Sequence, residues 1–362
     1  MTSLENFYAM MDGGRPGWLP FDLPTTEPVE QKILQETGLP SHEAFDTDFR
    51  GASASYRGDD PARWRSALEE AGFHFPGNSV VGRFGMSFVR PPVETLGEAT
   101  HLTEMLHPLS RIEGVEQLAQ LPWPDTSDPV HYEDYGRLSE EIHAAGKVAT
   151  AWQECTIFED TWYLRGMDNV FCDWAEENPV SEWLLDYFTA RSIHNCQAFA
   201  RAGFDMIKLG DDVGMQNRML LSMETWRRHL KPRLKSVIDS IREASAGRKV
   251  WVQYHSDGDV TPLVDDLIEI GVDILNPVQP ECMNLEAIAE QYQTRLAFSG
   301  MIGTQTTMPF GTPDDVRGAV ARCRSLHECG ARVIVAPTHV LEPDVPWENI
   351  DAFVESVRAC LR

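Results

Sequence analysis

The sequence has little positive charge. Lys and Arg number 31 against 56 Asp and Glu, a formal charge of −25 over 362 residues. Nucleic acids and anionic membranes are held largely by cations that displace condensed counterions, and this chain has no cationic surplus. Neither is expected as a partner. The acidity itself is accounted for by solubility. Paired cysteines are also missing: the 7 Cys are scattered, with no disulfide-framework spacing. No apolar run approaches the ~18–20 residues of a membrane span. The N-terminal MTSLENFYAMMDGG carries Glu5 and no signal-peptide core. A cytoplasmic protein with reduced thiols is the expectation. Solenoid repeats and low-complexity tracts are absent too.

What is there begins at Val250. The chain reads VWVQYHSDGDV, a helix, DILNPVQPECM, a helix, then LAFSGMIGTQ. Each apolar run has the length of a buried parallel strand, and each ends in polar residues. The same alternation starts at residue 131. KVATAWQEC, DMIKLGDD and RVIVAPTHVL are further strands, and YEDYGRLSEEIHAAG, residues 179–202, METWRRHLKPRLKSVIDSIREAS, TPDDVRGAVARCRSLHECG and PWENIDAFVESVRACLR are among the intervening helices. Thr312 followed by Pro313 and Asp314 is a helix-start signal. Strict alternation of this kind predicts parallel βα units.

The expected fold is therefore α/β: a (β/α)8 barrel with an N-terminal extension. Residues 1–130 hold a first strand at WLPFDLP, helices including EPVEQKILQETG, and a small antiparallel hairpin or sheet within 79–110. Residues 131–362 hold the main βα repeat. Seven strands are legible, Trp18–Asp22 included. The eighth is hidden in the N-terminal third or degenerate.

In such folds, chemistry collects where the strands end. Glu154 ends VATAWQEC. Asp211 and Asp212 end MIKLGDD. His255, Asp257 and Asp259 follow VWVQY; Gln279, Glu281 and Cys282 follow DILNPV; Gln305 follows LAFSGMIG; His339 ends VIVAPTH, with Asp344 five residues on. Two tasks suit this set. His255 and Asp257, with Glu154, Asp211 or Cys282, offer donors that zinc accepts. Crowded carboxylates also raise one another's pKa and leave a general acid at neutral pH. Each residue has a plainer role as well. His255 and Asp257 form a weak H-x-D motif that also suits a hydrogen-bonded pair. Asp211 or Asp212 suits the capping of the following segment or a loop amide. Cys282 suits a small core residue. His339 suits a backbone carbonyl. The glycines of HSDGD and SGMIG suit tight turns.

The H-x-x-G turn (His255, Gly258), IEIGVDILNPVQ, GMIGTQ, GTPDDVR and APTHVLEPDVPWENI together resemble the uroporphyrinogen decarboxylase superfamily, over roughly residues 150–360. The resemblance implies a barrel with its site at the strands' C-terminal ends, and homodimers are common in it. It implies one of two activities. One branch removes carboxyl groups from uroporphyrinogen without metal. The other moves methyl groups between a corrinoid protein and a thiol such as coenzyme M, using zinc. The decarboxylases carry an arginine-rich P-x-W-x-M-R-Q-A-G-R motif, and the corresponding RPGWLPFDLPTTEP lacks those arginines. The methyltransferases carry H-x-C and a second Cys after a later strand. This chain has H-S-D, and GMIGTQTTMP has no Cys.

The expectation is thus a metal-assisted methyltransferase acting on a small-molecule substrate. Zinc would be bound by His255 and Asp257 with Glu154 or Cys282, and the donor would be a methyl-corrinoid partner protein or a methylated small molecule. Gln279, Gln305, Trp152 and Asp344 are the expected substrate-binding residues, and Asp211, Asp212 and His339 the expected catalytic ones. The alternatives are a metal-free decarboxylase or lyase, and a non-catalytic binder.

Overall fold

The computed structural model describes residues 1–89 and 104–359. Its strands are β1 Phe49–Ser53, β2 Ser79–Val81, β3 Ser87–Val89, β4 Glu104–Leu106, β5 Val148–Glu154, β6 Met206–Gly210, β7 Gly214–Met215, β8 Arg218–Met219, β9 Trp251–His255, β10 Ile274–Asn276, β11 Ala297–Ser299 and β12 Arg332–Ile334. Seven of them form one parallel sheet in the order β1-β5-β6-β9-β10-β11-β12. Chain order and spatial order coincide, as in a sheet built from successive right-handed βα units. The fold is α/β, with a parallel sheet curved as in a half-barrel.

The sequence reading missed β1 because FRGAS is no apolar run. Arg50 turns out to the carbonyls of His42 and Thr47, and only Phe49 and Ala52 are buried. Gly51 is required there. A Cβ on it would lie 2.3 Å from the Trp152 indole nitrogen, so only glycine lets that ring lie across β1. Trp18–Asp22, expected as a regular strand, is not one. Phe21 makes an isolated parallel bridge to Val335, and its carbonyl accepts from Asp48 N–H at 3.2 Å. Pro20 and Pro24 remove the donors a regular ladder needs. The segment nevertheless bonds to both edges of the sheet.

Strands β2, β3 and β4 make a separate antiparallel sheet. The 90–103 portion of the hairpin expected in this region lies outside the described residues. The long helix expected from Met223 is two, Met223–His229 and Lys231–Ala244. Pro232 lacks the N–H that would continue the first helix and instead sits in the first turn of the second. Helix Pro313–Glu328 starts as its sequence predicts, with Thr312 and Asp315 capping each other.

Packing decides which end of the sheet is open. Helix Ser3–Met11 lies under the strand starts, where Phe7, Met10 and Met11 cluster with Phe49, Val148, Met206, Trp251, Ile274 and Ile334. Phe7 meets Phe49 and Trp251 edge-on at 5.6 and 5.1 Å. The strand starts are therefore plugged with apolar side chains, and polar groups gather at the strand ends. Among the described residues no helix is long and apolar enough to cross a membrane.

Candidate active site

Register places the site residues. Glu154, Gly210, His255 and Asn276 are successive partners across β5, β6, β9 and β10 and form one row at the strand ends. Two residues below, Trp152, Lys208 and Gln253 form a second row. Side chains two apart on a strand share a face, so both rows border one cavity of about 60 Å³. Its lining includes Trp152, Glu154, Lys208, Gln253, His255 and His339.

His255 is held from behind. Its Nδ1 lies 2.7 Å from the Asn276 amide oxygen, and the Asn276 NH2 donates to Ser299 Oγ at 3.3 Å. An amide oxygen only accepts, so Nδ1 carries a proton and Nε2 is turned to the site. There Nε2 stands 3.8 Å from an Asp257 oxygen and 3.9 Å from an Asp212 oxygen. Burial on its own lowers the histidine's pKa. The carboxylates of Glu154, Asp257 and Asp212 outweigh it and push the value up to about 9.

Donor atoms of His255, Asp257 and His339 all lie within 4.8 Å of one another. Among the described residues no other three His, Cys, Asp or Glu side chains converge in this way. His339 comes from the segment after β12, and its ring centre is 5.9 Å from that of His255. His339, expected as a catalytic residue and not as a ligand, is thus the third member of the converging group.

The other expected metal ligands stay outside this group. Glu154 faces the same cavity, but its donor is not one of the converging three. Burial raises its pKa, against the lowering pull of His255 and Lys208. Cys282 packs against the main core. Burial, then the charges of Glu281, Asp257 and Asp259, push its thiol up to about 11.

Asp211 and Asp212 have separate uses. The buried Asp211 carboxylate accepts from the N–H of Ile157 at 3.1 Å and of Glu159 at 2.9 Å, anchoring the start of helix Phe158–Arg165. The amides it binds thus belong to the start of a helix earlier in the chain and not to the following segment. Burial pushes its pKa up to about 7 against the opposing pull of those amides. Asp212 turns to the site and accepts from Asp257 N–H at 2.8 Å.

The four expected substrate residues divide. Trp152 lines the cavity, with Lys208 Nζ 4.0 Å from its ring centre. Gln279 is buried and spends its amide oxygen on Gly258 N–H at 3.0 Å, holding the turn after β9. Gly258 has φ +85°, and a Cβ there would lie 2.6 Å from the Met215 carbonyl. Gln305 and Asp344 are exposed, and neither lines the cavity.

Two residues escaped the sequence reading. Glu159 is buried, accepts from Tyr163 Oη at 2.8 Å and from Asp212 N–H at 3.2 Å, and has a pKa raised well above the usual carboxylate value by burial, then by Asp212 and Asp211. A Glu in the first turn of a helix reads as a partner of the helix dipole, so nothing in the sequence singled it out. Lys208 was hidden mid-strand in DMIKLGDD; its only signal is a charge inside an apolar run.

Comparison with known proteins follows this geometry. The family model for uroporphyrinogen decarboxylase (URO-D) matches residues 106–360. The chain belongs to the URO-D family. A solved methyltransferase from Methanosarcina mazei superposes with a TM-score of 0.65 at 17% identity, covering 99% of both chains, which shows a shared fold. A B12-independent methionine synthase from Shewanella sp. W3-18-1 gives a TM-score of 0.43 at 12% identity, over 64% of this chain and 65% of that one. An α-L-fucosidase from Lactobacillus casei gives 0.37 at 15% identity over the same shares. No curated protein sequence matches. The URO-D assignment makes an enzyme the coarse functional class.

Proposed function

We propose that this URO-D family member catalyses metal-assisted methyl transfer to a small-molecule acceptor. The observation that carries the reading is the convergence of His255, Asp257 and His339 at the cavity rim. Two imidazoles and a carboxylate are a donor set zinc accepts, and three protein ligands leave a position for substrate. Asp257 and His339 stand here for the two thiolates of the zinc methyltransferases. When bound, zinc would lower the pKa of the acceptor and stabilise its anion.

The chain's own residues prepare the rest. Asn276 fixes the His255 tautomer and points Nε2 outward. Asp212 holds the Asp257 backbone and adds a negative charge beside the ligands, which favours a cation. Trp152 and Lys208 wall the inner end. The methyl donor would be a methyl-corrinoid protein or a methylated small molecule reaching the open mouth. In the same reading, Pro20–Asp22 stands as the eighth strand of a closed (β/α)8 barrel, since it bonds to both edge strands. In the metal-free decarboxylase reading the acid would be Asp211 or Asp212; Asp211 is already committed to backbone amides, which leaves Asp212, turned to His255.

The deciding experiment is elemental analysis of protein purified without chelator, beside His255→Ala. About one zinc per chain, lost in the variant, is expected. Wild-type protein that takes up no metal after incubation with zinc overturns the proposal.

A further inference from the structure

Lys208 is a buried cation with donors to spare. Its side chain is 7% exposed, and among the described residues its one hydrogen bond runs to Asp22 Oδ2 at 3.2 Å. An ammonium has three donors. Nζ also lies over the Trp152 ring, which Gly51 alone gives room to lie there. A lysine held between an indole face and a carboxylate at the wall of the cavity has donors left for a further acceptor. The nearest acid on the strands themselves, Glu154, belongs to the row above. Desolvated charge with unfilled donors costs free energy unless another acceptor arrives.

We propose that Lys208 is the specificity-determining residue of the cavity, anchoring the anionic group of a short-chain organic acid, with Asp22 as its resting counter-ion. Two strand residues separate its row from that of His255, a rise of roughly 7 Å. The substrate's charged end is therefore expected on the Lys208 side of the cavity and its reacting group on the His255 side. The narrow inner end of the cavity, walled by Trp152 and Lys208, suits a short chain. The inference rests on reading this cavity as the substrate site and needs no bound metal.

Propionate and propionamide, alike in shape and different in charge, test it by calorimetric or ligand-observed NMR titration of chelator-treated protein. The wild type is expected to bind propionate and not propionamide. Lys208→Met should weaken propionate roughly thirtyfold or more. Lys208→Arg should retain most of the binding. Asp22→Asn frees the ammonium and should tighten it, a gain that misfolding cannot imitate. Equal affinity for acid and amide, or unchanged propionate binding in Lys208→Met, overturns the inference. The metal proposal is judged separately: charge discrimination in a protein that never takes up zinc removes only that proposal, and zinc binding without charge discrimination removes only this one.

Discussion

At the scale of single residues, function turns on which atom each side chain leaves free. Asn276 illustrates this. It contributes no donor to the converging three, yet it decides that His255 offers Nε2 to the rim and keeps its ring from rotating. Partners of this kind commonly account for about 10–100-fold in metal affinity. Asn276→Ala is therefore expected to weaken zinc binding by that order in a chelator competition, with the melting temperature nearly unchanged. An unaltered affinity would mean that the ring is positioned by something else. The sequence told correctly that titratable groups crowd the strand ends, but it could not sort them. Asp211 and Asp212 are adjacent and chemically identical, yet one side chain points at the amides of Ile157 and Glu159 and the other at His255. That depends on how a helix 50 residues earlier in the chain returns to the sheet, a contact no local pattern encodes. His339 is the reverse case. Its residue type was noted, and its place beside His255 and Asp257 became visible only once the segment after β12 was seen at the strand ends.

At the scale of elements, the parallel strands with continuous apolar runs were legible, because burial on both faces leaves a strong imprint. Strand β1 was not, since its place is defined by Trp152 lying over Gly51 and not by its own hydrophobicity. Helix pairs show a similar dependence on partners. Helix Pro179–Ala202 and the helices from Met223 are tied by Glu182, which accepts from Arg233 at 2.7 Å and meets His229. Burial raises the pKa of Glu182, but Arg233 and His229 outweigh it, so the value is lowered on folding. A carboxylate with a depressed folded pKa contributes stability above its unfolded value, about 4.3, and loses the contribution as pH falls through that window. Thermal melts of the wild type and Glu182→Gln should therefore differ at pH 7 and converge as pH falls through the lowered folded-state value. A difference that persists at low pH would assign the effect to packing. The pair is part-exposed, so the neutral-pH difference is expected to be modest.

At the scale of the whole molecule, two features act together: one end of the sheet is plugged by helix Ser3–Met11, and the chain carries a formal charge of −25. The field of an acidic protein draws cations toward it and repels anions, and a low-dielectric cleft focuses it. Asp212 and Asp257 add negative charge at the open end. A divalent cation would thus be steered to the rim, while a small organic acid would approach against the field and need a buried counter-charge such as Lys208 to be retained. Steering of this kind is long-ranged. The screening length is about 30 Å at 0.01 M salt and about 10 Å at 0.1 M. Stopped-flow mixing of metal-free protein with zinc should accordingly show an association rate that falls several-fold across that range, while the dissociation rate, set by His255, Asp257 and His339 at contact distance, stays nearly constant. If both rates are flat, the acidity serves solubility alone. If dissociation instead accelerates with salt, the cation is held by diffuse surface charge and not by the three converging side chains.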